Sequence, residues 1–277
     1  MVGVVTRNEP ELSWSEFDRA FYECKSVSGR ASDPVADGIN TLSCFADNAA
    51  AREQPSVLAR SADGEPATRE RPYFDWSHIC PTHDAYREGL LEMIADAGQA
   101  SGDVRLDDVG FPRAEYCHCD RCEDAFASSQ YDEWGAWRRS VITEFLTSAR
   151  ERVSGDLFLT VHPDPYPGHI AARSGIDLDG IESIVDEFVV PLYDTHYGTT
   201  YWLESLASGF ADRLESPFSV ELYAVDVDVD DLIRATTVAE TYADDVLYGY
   251  DASTARAAIR RRRADEHDGV SHRPDES

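Results

Sequence analysis

Acidic side chains interrupt two apolar segments of the sequence, where a carboxylate is costly to bury. Glu221 lies within the run Phe218 to Val225, and Asp107 and Asp108 lie within Val104 to Phe111. A buried carboxylate is stable only when it is paired or serves a function. Two carboxylates that face each other across a pocket are the minimum equipment for hydrolysing a glycosidic bond. Asp107, Asp108 and Glu221 are therefore the candidate catalytic residues.

Other polar side chains lie close to the same segments and are candidate substrate-binding residues. Arg105 precedes Asp107 by two positions, so in a strand both side chains point to one side and can pair. The remaining candidates are His162, Tyr193, His196 and Tyr223. The tyrosines also have a purely structural interpretation, as core aromatics with a solvated hydroxyl.

A cysteine cluster follows the Asp107 segment directly. Cys117, Cys119 and Cys122 have the spacing Cys-x-Cys-x-x-Cys. Three thiols this close suit tetrahedral zinc, which needs one more ligand, and Cys80 is the natural fourth. Four cysteine ligands leave no open position, so the sequence predicts a structural zinc ion. Nearby histidines as ligands, an iron–sulfur cluster and free thiols remain alternatives.

The apolar pattern alternates between short strands and helices. Eight segments are predicted as strands: 2–6, 39–45, 57–60, 104–111, 157–162, 188–193, 218–225 and 246–250. Helices are predicted at 13–26, 84–97, 132–152, 178–186, 201–214, 229–243 and 253–261. This order favours the α/β class and a (β/α)8 TIM barrel, with its chemistry at the carboxyl ends of the strands.

The predicted barrel is regular in its second half and irregular in its first half, with the cysteine-rich zinc loop after strand 4. We expect residues 1–263 to form one barrel domain. Residues 264–277 are polar, and we expect them to be a disordered tail.

The charge balance is strongly acidic, with 53 Asp and Glu against 25 Lys and Arg and a net charge of −28. Lys25 is the only lysine. This composition is typical of a protein from a halophile, and it disfavours nucleic acid and anionic membranes as partners. No apolar run reaches membrane-spanning length, and the first residues do not read as a signal peptide. We expect a cytoplasmic protein with packed thiols at Cys24 and Cys44, and the sequence leaves a homo-oligomer open.

The stretch HICPTHDAYREGLLEMI, followed by an acidic strand and by YCHCDRCEDAF, resembles a known family. It is similar to the β-galactosidases of glycoside hydrolase family 42 and to related uncharacterised glycosidase-like barrels. The likeness covers about residues 76–126 well and the rest only by barrel order. It implies that Cys80, Cys117, Cys119 and Cys122 bind one zinc ion.

The resemblance also implies roles for the carboxylates and a carbohydrate as substrate. The general acid/base would follow strand 4, at Asp107 or Asp108, and Glu221 on strand 7 would be the nucleophile of a retaining enzyme. The family has Asn-Glu where this chain has Asp-Asp, so the acid would be one methylene shorter. The segment RLDDVGFP resembles the HLDYIRFP strand of other glycosidase-like barrels, which favours Asp107.

Two other functions fit parts of the same pattern. A barrel that binds carbohydrate without catalysis is one, because the Asp-Asp pair departs from the family. A tRNA-guanine transglycosylase-like enzyme is the other, since such enzymes combine a barrel, a Cys-x-Cys-x-x-Cys zinc site and a catalytic Asp. In those enzymes the cluster lies late in the barrel, and the acidic surface is hostile to RNA.

The net charge of −28 predicts that salt stabilises the protein. Repulsion among carboxylates is screened over about 3 Å in molar salt, so the midpoint of thermal unfolding should rise from low salt to molar KCl. Unfolding followed by circular dichroism across this range tests the expectation. A midpoint that stays flat or falls would contradict it.

Overall fold

The computed structural model describes residues 1–271, with the side chains of the last helix described up to residue 265. Its eight parallel strands close into a barrel in chain order. The strands are β1 (Val2–Thr6), β2 (Arg19–Lys25), β3 (Ile39–Ser43), β4 (Val104–Asp107), β5 (Leu157–Thr160), β6 (Glu187–Pro191), β7 (Phe218–Tyr223) and β8 (Asp245–Gly249). The predicted (β/α)8 TIM barrel is therefore confirmed.

The helices follow the strands and cover the outside of the barrel. They are α1 (Asn48–Glu53), α2 (Asp84–Ser101), α3 (Asp120–Ala127), α4 (Trp134–Arg150), α5 (His169–Ser174), α6 (Leu178–Ile181), α7 (Tyr201–Ala211), α8 (Val229–Ala239) and α9 (Ala252–Ser271). Asp47 caps α1 and Asp228 caps α8 with carboxylate oxygens that accept backbone N–H groups, as expected of an N-cap residue.

Alternate positions along the strands fill two different cores. Inside the barrel, six apolar side chains form one cluster: Val5, Phe21, Ile39, Phe158, Val189 and Leu247. The intervening residues, such as Leu106 and Val190, point outward and join the large core shared with the helices. Both faces of each strand are buried in this way, as in other parallel sheets.

A charged group closes the amino-terminal end of the barrel. Arg19 at the start of β2 contacts Glu187 (2.5 Å) and Asp245, at the starts of β6 and β8. The amino group of Met1 lies 2.6 Å from Asp245. These ion pairs occupy the end opposite to the one where TIM barrels carry their chemistry.

Two predictions in the first half of the chain are wrong, and they compensate each other. The predicted helix 13–26 contains β2, and the predicted strand 57–60 is a 3-10 turn at Pro55–Val57 followed by isolated bridges. Aromatic residues at helical spacing concealed a strand that is buried on both faces, in which every residue after Arg19 is buried. Because one strand was missed and one was added, the total of eight remained right.

The first half is irregular, as predicted. β1 and β2 are joined by a 3-10 turn (Glu9–Ser13), and β2 and β3 by a loop. Residues 44–83, between β3 and α2, form a long connection that includes α1 and three isolated bridges: Ala46–His78, Leu58–Ile79 and Arg60–Pro66. A further bridge, Ser61–Tyr116, joins it to the loop after β4. This connection lies at the carboxyl end of β3, where it can contribute to a site.

The end of the chain differs from its predicted boundary. The disordered tail was predicted from Ala264, but that residue lies inside α9, which continues to Ser271. Residues 272–277 lie outside the described part of the chain, so their predicted disorder stays a prediction. Among the described helices, we find none that combines the length and the apolar composition needed to cross a bilayer.

Candidate active site and cysteine cluster

Arg105 of β4 lies inside the barrel and is 1% exposed. Its Nε donates hydrogen bonds to Asp107 Oδ1 (2.9 Å) and to Thr160 Oγ1 on β5 (3.0 Å). Its Nη2 lies 2.5 Å from Glu221 Oε2 on β7. One guanidinium therefore contacts the carboxylates of both β4 and β7.

Glu221 has no exposed surface. The Tyr193 hydroxyl donates a hydrogen bond to Glu221 Oε1 (2.5 Å), and Tyr193 itself lines an open cleft. On the other side, a Cβ at Gly249 would lie 2.8 Å from Oε1, so the carboxylate needs a glycine there. Burial raises the pKa of Glu221, while Arg105 and the Tyr193 hydroxyl oppose that rise.

Asp108 takes no part in the Arg105 contacts. Its φ of 54° places the residue in the left-handed region, and its Oδ2 accepts a hydrogen bond from the Ser43 hydroxyl (2.7 Å). Burial, and next the negative charge of Asp107, raise the pKa of Asp108 to about 7, and Lys25 counteracts this only in part. At neutral pH the carboxyl group is thus close to half protonated, although its neighbour Asp107 is paired with an arginine.

A cleft of about 450 Å³ opens beside Asp108 at the carboxyl ends of the strands. Its walls come from the β3–α2 connection and from the loops after β4, β5 and β6. The side chains relevant to a ligand are Tyr73, Phe74, Trp76, His78, Asp108, Phe111, Thr160, His162, Arg173, Tyr193 and Trp202. Aromatic walls with a few polar groups are typical of a small-molecule site.

Most of the predicted binding residues lie in the cleft or beside it, and His196 is the exception. His162 and Tyr193 line the cleft. Tyr223 is half-buried and packs between Tyr193 (5.5 Å between ring centroids) and Tyr250 (6.4 Å), so it supports the wall beside Glu221. His196 is exposed on the β6–α7 loop and is not among the residues that line the cleft.

Sequence reasoning missed the charged residues of β2. Glu23 pairs with Arg7, whose Nη2 lies 3.2 Å from Glu23 Oε1 and whose guanidinium lies 5.1 Å from the Tyr250 ring. Lys25, the single lysine, is buried and lies 3.1 Å from Asp47. The signal was the alternation of Glu23 and Lys25 with apolar residues, which the helix prediction obscured.

Four thiols meet outside the cleft, between the β3–α2 connection and the loop after β4. The Sγ atoms of Cys80, Cys117, Cys119 and Cys122 all lie within 4.8 Å of one another. Two of the separations from the Cys80 sulfur are 3.7 and 3.4 Å. A tetrahedral ion with metal–sulfur bonds of about 2.3 Å places its sulfurs about 3.8 Å apart, so the group can hold one metal ion.

The other two cysteines are packed thiols. Cys24 donates to the carbonyl of Thr41 (3.3 Å) and Cys44 to that of Leu42 (3.6 Å), and both side chains are buried. Burial raises the pKa of Cys24 to about 11, so it stays a thiol at neutral pH. This agrees with the sequence prediction.

The cysteine cluster connects segments that also form the cleft wall. The Arg60 N–H donates to Cys117 Sγ (3.2 Å), and His118 N–H donates to the Arg60 carbonyl (2.7 Å). Next to the cluster, the ring of Phe74 packs against that of Tyr116 (5.4 Å between centroids). A metal ion here would stabilise the wall without touching the carboxylates.

Comparison with known proteins shows the fold. No protein-family model and no curated protein matches the sequence. Among solved structures, the chain is similar to α-L-fucosidase isoenzyme 2 from Paenibacillus thiaminolyticus (TM-score 0.63, 14% identity), of which it covers 46% with 93% of its own length. It is also similar to a class V chitinase from Pseudomonas fluorescens Pf-5 (TM-score 0.56, 11% identity), with 94% of this chain and 98% of that chain covered.

A third similar structure is the GH20 exo-β-N-acetylglucosaminidase from Vibrio harveyi (TM-score 0.50, 8% identity, 93% of this chain and 53% of that one). The chain thus spans about half the length of the fucosidase and of the glucosaminidase. All three neighbours are glycoside hydrolases by name. At these identities the likeness establishes a shared barrel fold.

Proposed function

We propose that this protein is a glycoside hydrolase whose substrate binds in the cleft beside Asp108. One observation carries the proposal: Arg105 holds the carboxylates of β4 and β7 together and leaves Asp108 outside the pair, with a pKa raised to about 7. A glycosidase needs one carboxyl group that is protonated and another that is ionised. The glycosidase names of the structural neighbours support the same proposal.

In this proposal Asp108 is the general acid. A carboxylate held by an arginine is a poor proton donor, which disfavours Asp107, the residue preferred on sequence grounds. Asp108 has instead a hydroxyl partner, Ser43, and it faces the cleft. A pKa near the working pH lets one group donate a proton in the first step and accept it in the second.

Glu221 is the proposed nucleophile. The contact with Arg105 and the hydrogen bond from Tyr193 favour its ionised form and fix its orientation. Because Tyr193 lies between Glu221 and the cleft, a sugar reaches this carboxylate only when the tyrosine hydroxyl moves aside.

The cleft walls suit a sugar. Tyr73, Phe74 and Trp202 offer flat faces to the C–H side of a pyranose, and His162 offers a ring nitrogen to a hydroxyl. Tyr223 acts through Tyr193, which it packs against. The sequence likeness to family 42 points the same way.

For the metal we propose structural zinc. Four thiolates are the ligand set that zinc prefers in closed sites, and no position is left for water or substrate. The six free thiols also support a reducing compartment, so we propose a cytoplasmic location.

A carbohydrate-binding barrel without catalysis is the second candidate, favoured by the complete burial of Glu221. A carboxylate that is buried beneath the Tyr193 hydroxyl is also compatible with a glycosidase-like barrel that has lost its activity. The transglycosylase alternative gains no support, because the cysteine cluster follows β4 and lies early in the barrel.

The carboxylate roles predict how variants behave with chromogenic glycosides in molar KCl. Asp108→Asn and Glu221→Gln should each lower kcat by about 10²–10⁴-fold, the usual contribution of such groups. The activity of the unmodified protein should fall above pH 7, because the acid with a pKa of about 7 is then deprotonated. The pH profile of Asp108→Asn should no longer show this fall at alkaline pH. In the unmodified protein, NMR of the released sugar should show that the anomeric configuration of the substrate is retained.

The control is Asp96→Asn, which makes the same charge change on an exposed position of α2. It should keep full activity and the same pH profile. Binding of sugars without hydrolysis of any glycoside would support the binding barrel instead. A fall at alkaline pH that survives in Asp108→Asn would exclude this residue as the acid.

The zinc proposal predicts about one zinc ion per chain in elemental analysis. Cys119→Ser should lose the metal and lower the Tm by about 5 °C or more, because metal binding contributes to folding. Cys24→Ser, a buried thiol outside the cluster, should keep the metal. Metal-free native protein with four alkylatable thiols would rule out the site.

A further inference from the structure

Two arginines and two histidines lie together beside the cleft of this very acidic chain. Arg113, Arg173, His162 and His169 line a depression next to the cleft. Arg173 and His162 line both the depression and the cleft, so they lie on the border between them. Arg173 is the only Arg or Lys among the cleft-lining residues of the described chain.

The carboxylates nearest to Arg173 already have other partners. Glu115 accepts from Arg113 Nε (3.2 Å), and Asp164 lies 3.0 Å from His169 Nδ1. In the part of the chain that the structure describes, the Arg173 side chain makes no hydrogen bond and no ion pair. It is half-buried and lines the cleft, whereas Arg19 and Arg105 inside the barrel are paired with carboxylates.

The backbone of Arg173 is fixed. Buried Arg138 donates to the carbonyls of Ala172 (2.8 Å) and Arg173 (2.8 Å). The next carbonyl, that of Ser174, accepts the Phe111 N–H (2.9 Å). A Cβ at Gly110 would lie 2.6 Å from the same carbonyl, so α5 packs directly on the loop that follows Asp108. Arg173 and Asp108 are thus held in one rigid arrangement.

The electrostatics of Arg173 favour an anion. Burial and then the nearby Arg113 lower the pKa of Arg173, and Glu115 and Asp164 oppose this only in part. Burial and Arg173 also lower the pKa of the cleft residue His78 to about 4, which keeps that imidazole neutral and available for a hydrogen bond. An anion bound at Arg173 would supply a negative charge and a match to the planar guanidinium fork.

We propose that Arg173 binds an anionic substituent on the sugar substrate: the carboxylate of a uronic acid or an ester sulfate or phosphate. The inference rests on the proposed function, because it names the substrate class of the same cleft. A neutral sugar of the same shape would leave the guanidinium unpaired and bind more weakly.

The test compares sugars that differ only in charge. Calorimetry in KCl of fixed concentration measures binding of glucuronate against glucose, galacturonate against galactose, and galactose 6-sulfate as a second anion. Nitrophenyl glycosides of the same sugars measure hydrolysis. We expect at least one of the anions to bind about tenfold or more tightly than its neutral partner, the size of one charge-assisted hydrogen-bond pair.

The variants separate charge from shape. Arg173→Gln should abolish the preference for the anion, while Arg173→Lys should keep part of it. Arg234→Gln, at an exposed position of α8, makes the same charge change and should keep the preference. Equal binding of charged and neutral sugars, or a preference that survives in Arg173→Gln, would overturn the inference.

The two proposals fail in different ways. Arg173-dependent binding of an anionic sugar without hydrolysis of any glycoside supports the anion site and contradicts the hydrolase. Hydrolysis of neutral glycosides without a preference for charged ones contradicts the anion site and supports the hydrolase. If none of these sugars binds and none of the glycosides is hydrolysed, both the anion site and the hydrolase proposal are overturned.

Discussion

The arrangement inside the barrel depends on one buried cation, the guanidinium of Arg105. A charge taken out of water costs several kcal/mol unless it is paired, and Arg105 is paired with Asp107 and Glu221. Its guanidinium lies 5.6 Å from the ring of Phe21, part of the apolar cluster inside the barrel. The barrel is therefore apolar in the middle and charged at the carboxyl ends of its strands. Asp107 and Glu221 therefore have a structural reason to be present, and Asp108 lies outside this pair.

The sequence predicted the second half of the barrel because each of its strands is followed by an amphipathic helix. It failed at β2, where Trp14, Phe17 and Phe21 fall at helical spacing and obscured the alternation of Glu23 and Lys25 in a strand buried on both faces. Because β2 was missed, Glu23 and Lys25 were also missed as charged residues of the barrel. The left-handed backbone of Asp108, with a φ of 54°, and its hydrogen bond to Ser43 also could not be predicted from the sequence. The four thiols were predictable, because their chemistry requires proximity whatever the fold around them.

A metal ion in the cysteine cluster would stabilise the first half of the barrel, where the connections between strands contain few helices. The connection 44–83 has only α1 as a regular helix, yet it contributes Tyr73, Phe74 and Trp76 to the cleft. The connection has only a small apolar cluster of its own, formed by Ala51, Val57, Leu58 and Ile79. A long connection is costly to order, and cross-links that close long loops give the largest gain in theory. One metal ion bound by Cys80 and the three cysteines after β4 would attach this connection to the barrel at the edge of the cleft.

The distribution of the few cations explains why Arg173 is exceptional. With 25 Lys and Arg against 53 Asp and Glu, every cation has an excess of carboxylates available. The buried ones have fixed structural partners: Arg105 bridges two strands, Lys25 binds Asp47, and Arg138 binds three backbone carbonyls. Arg173 lines the cleft without a hydrogen bond or ion pair to a carboxylate of the described chain, although Glu115 and Asp164 line the same depression. The partner that fits this position is an anion brought in by the ligand.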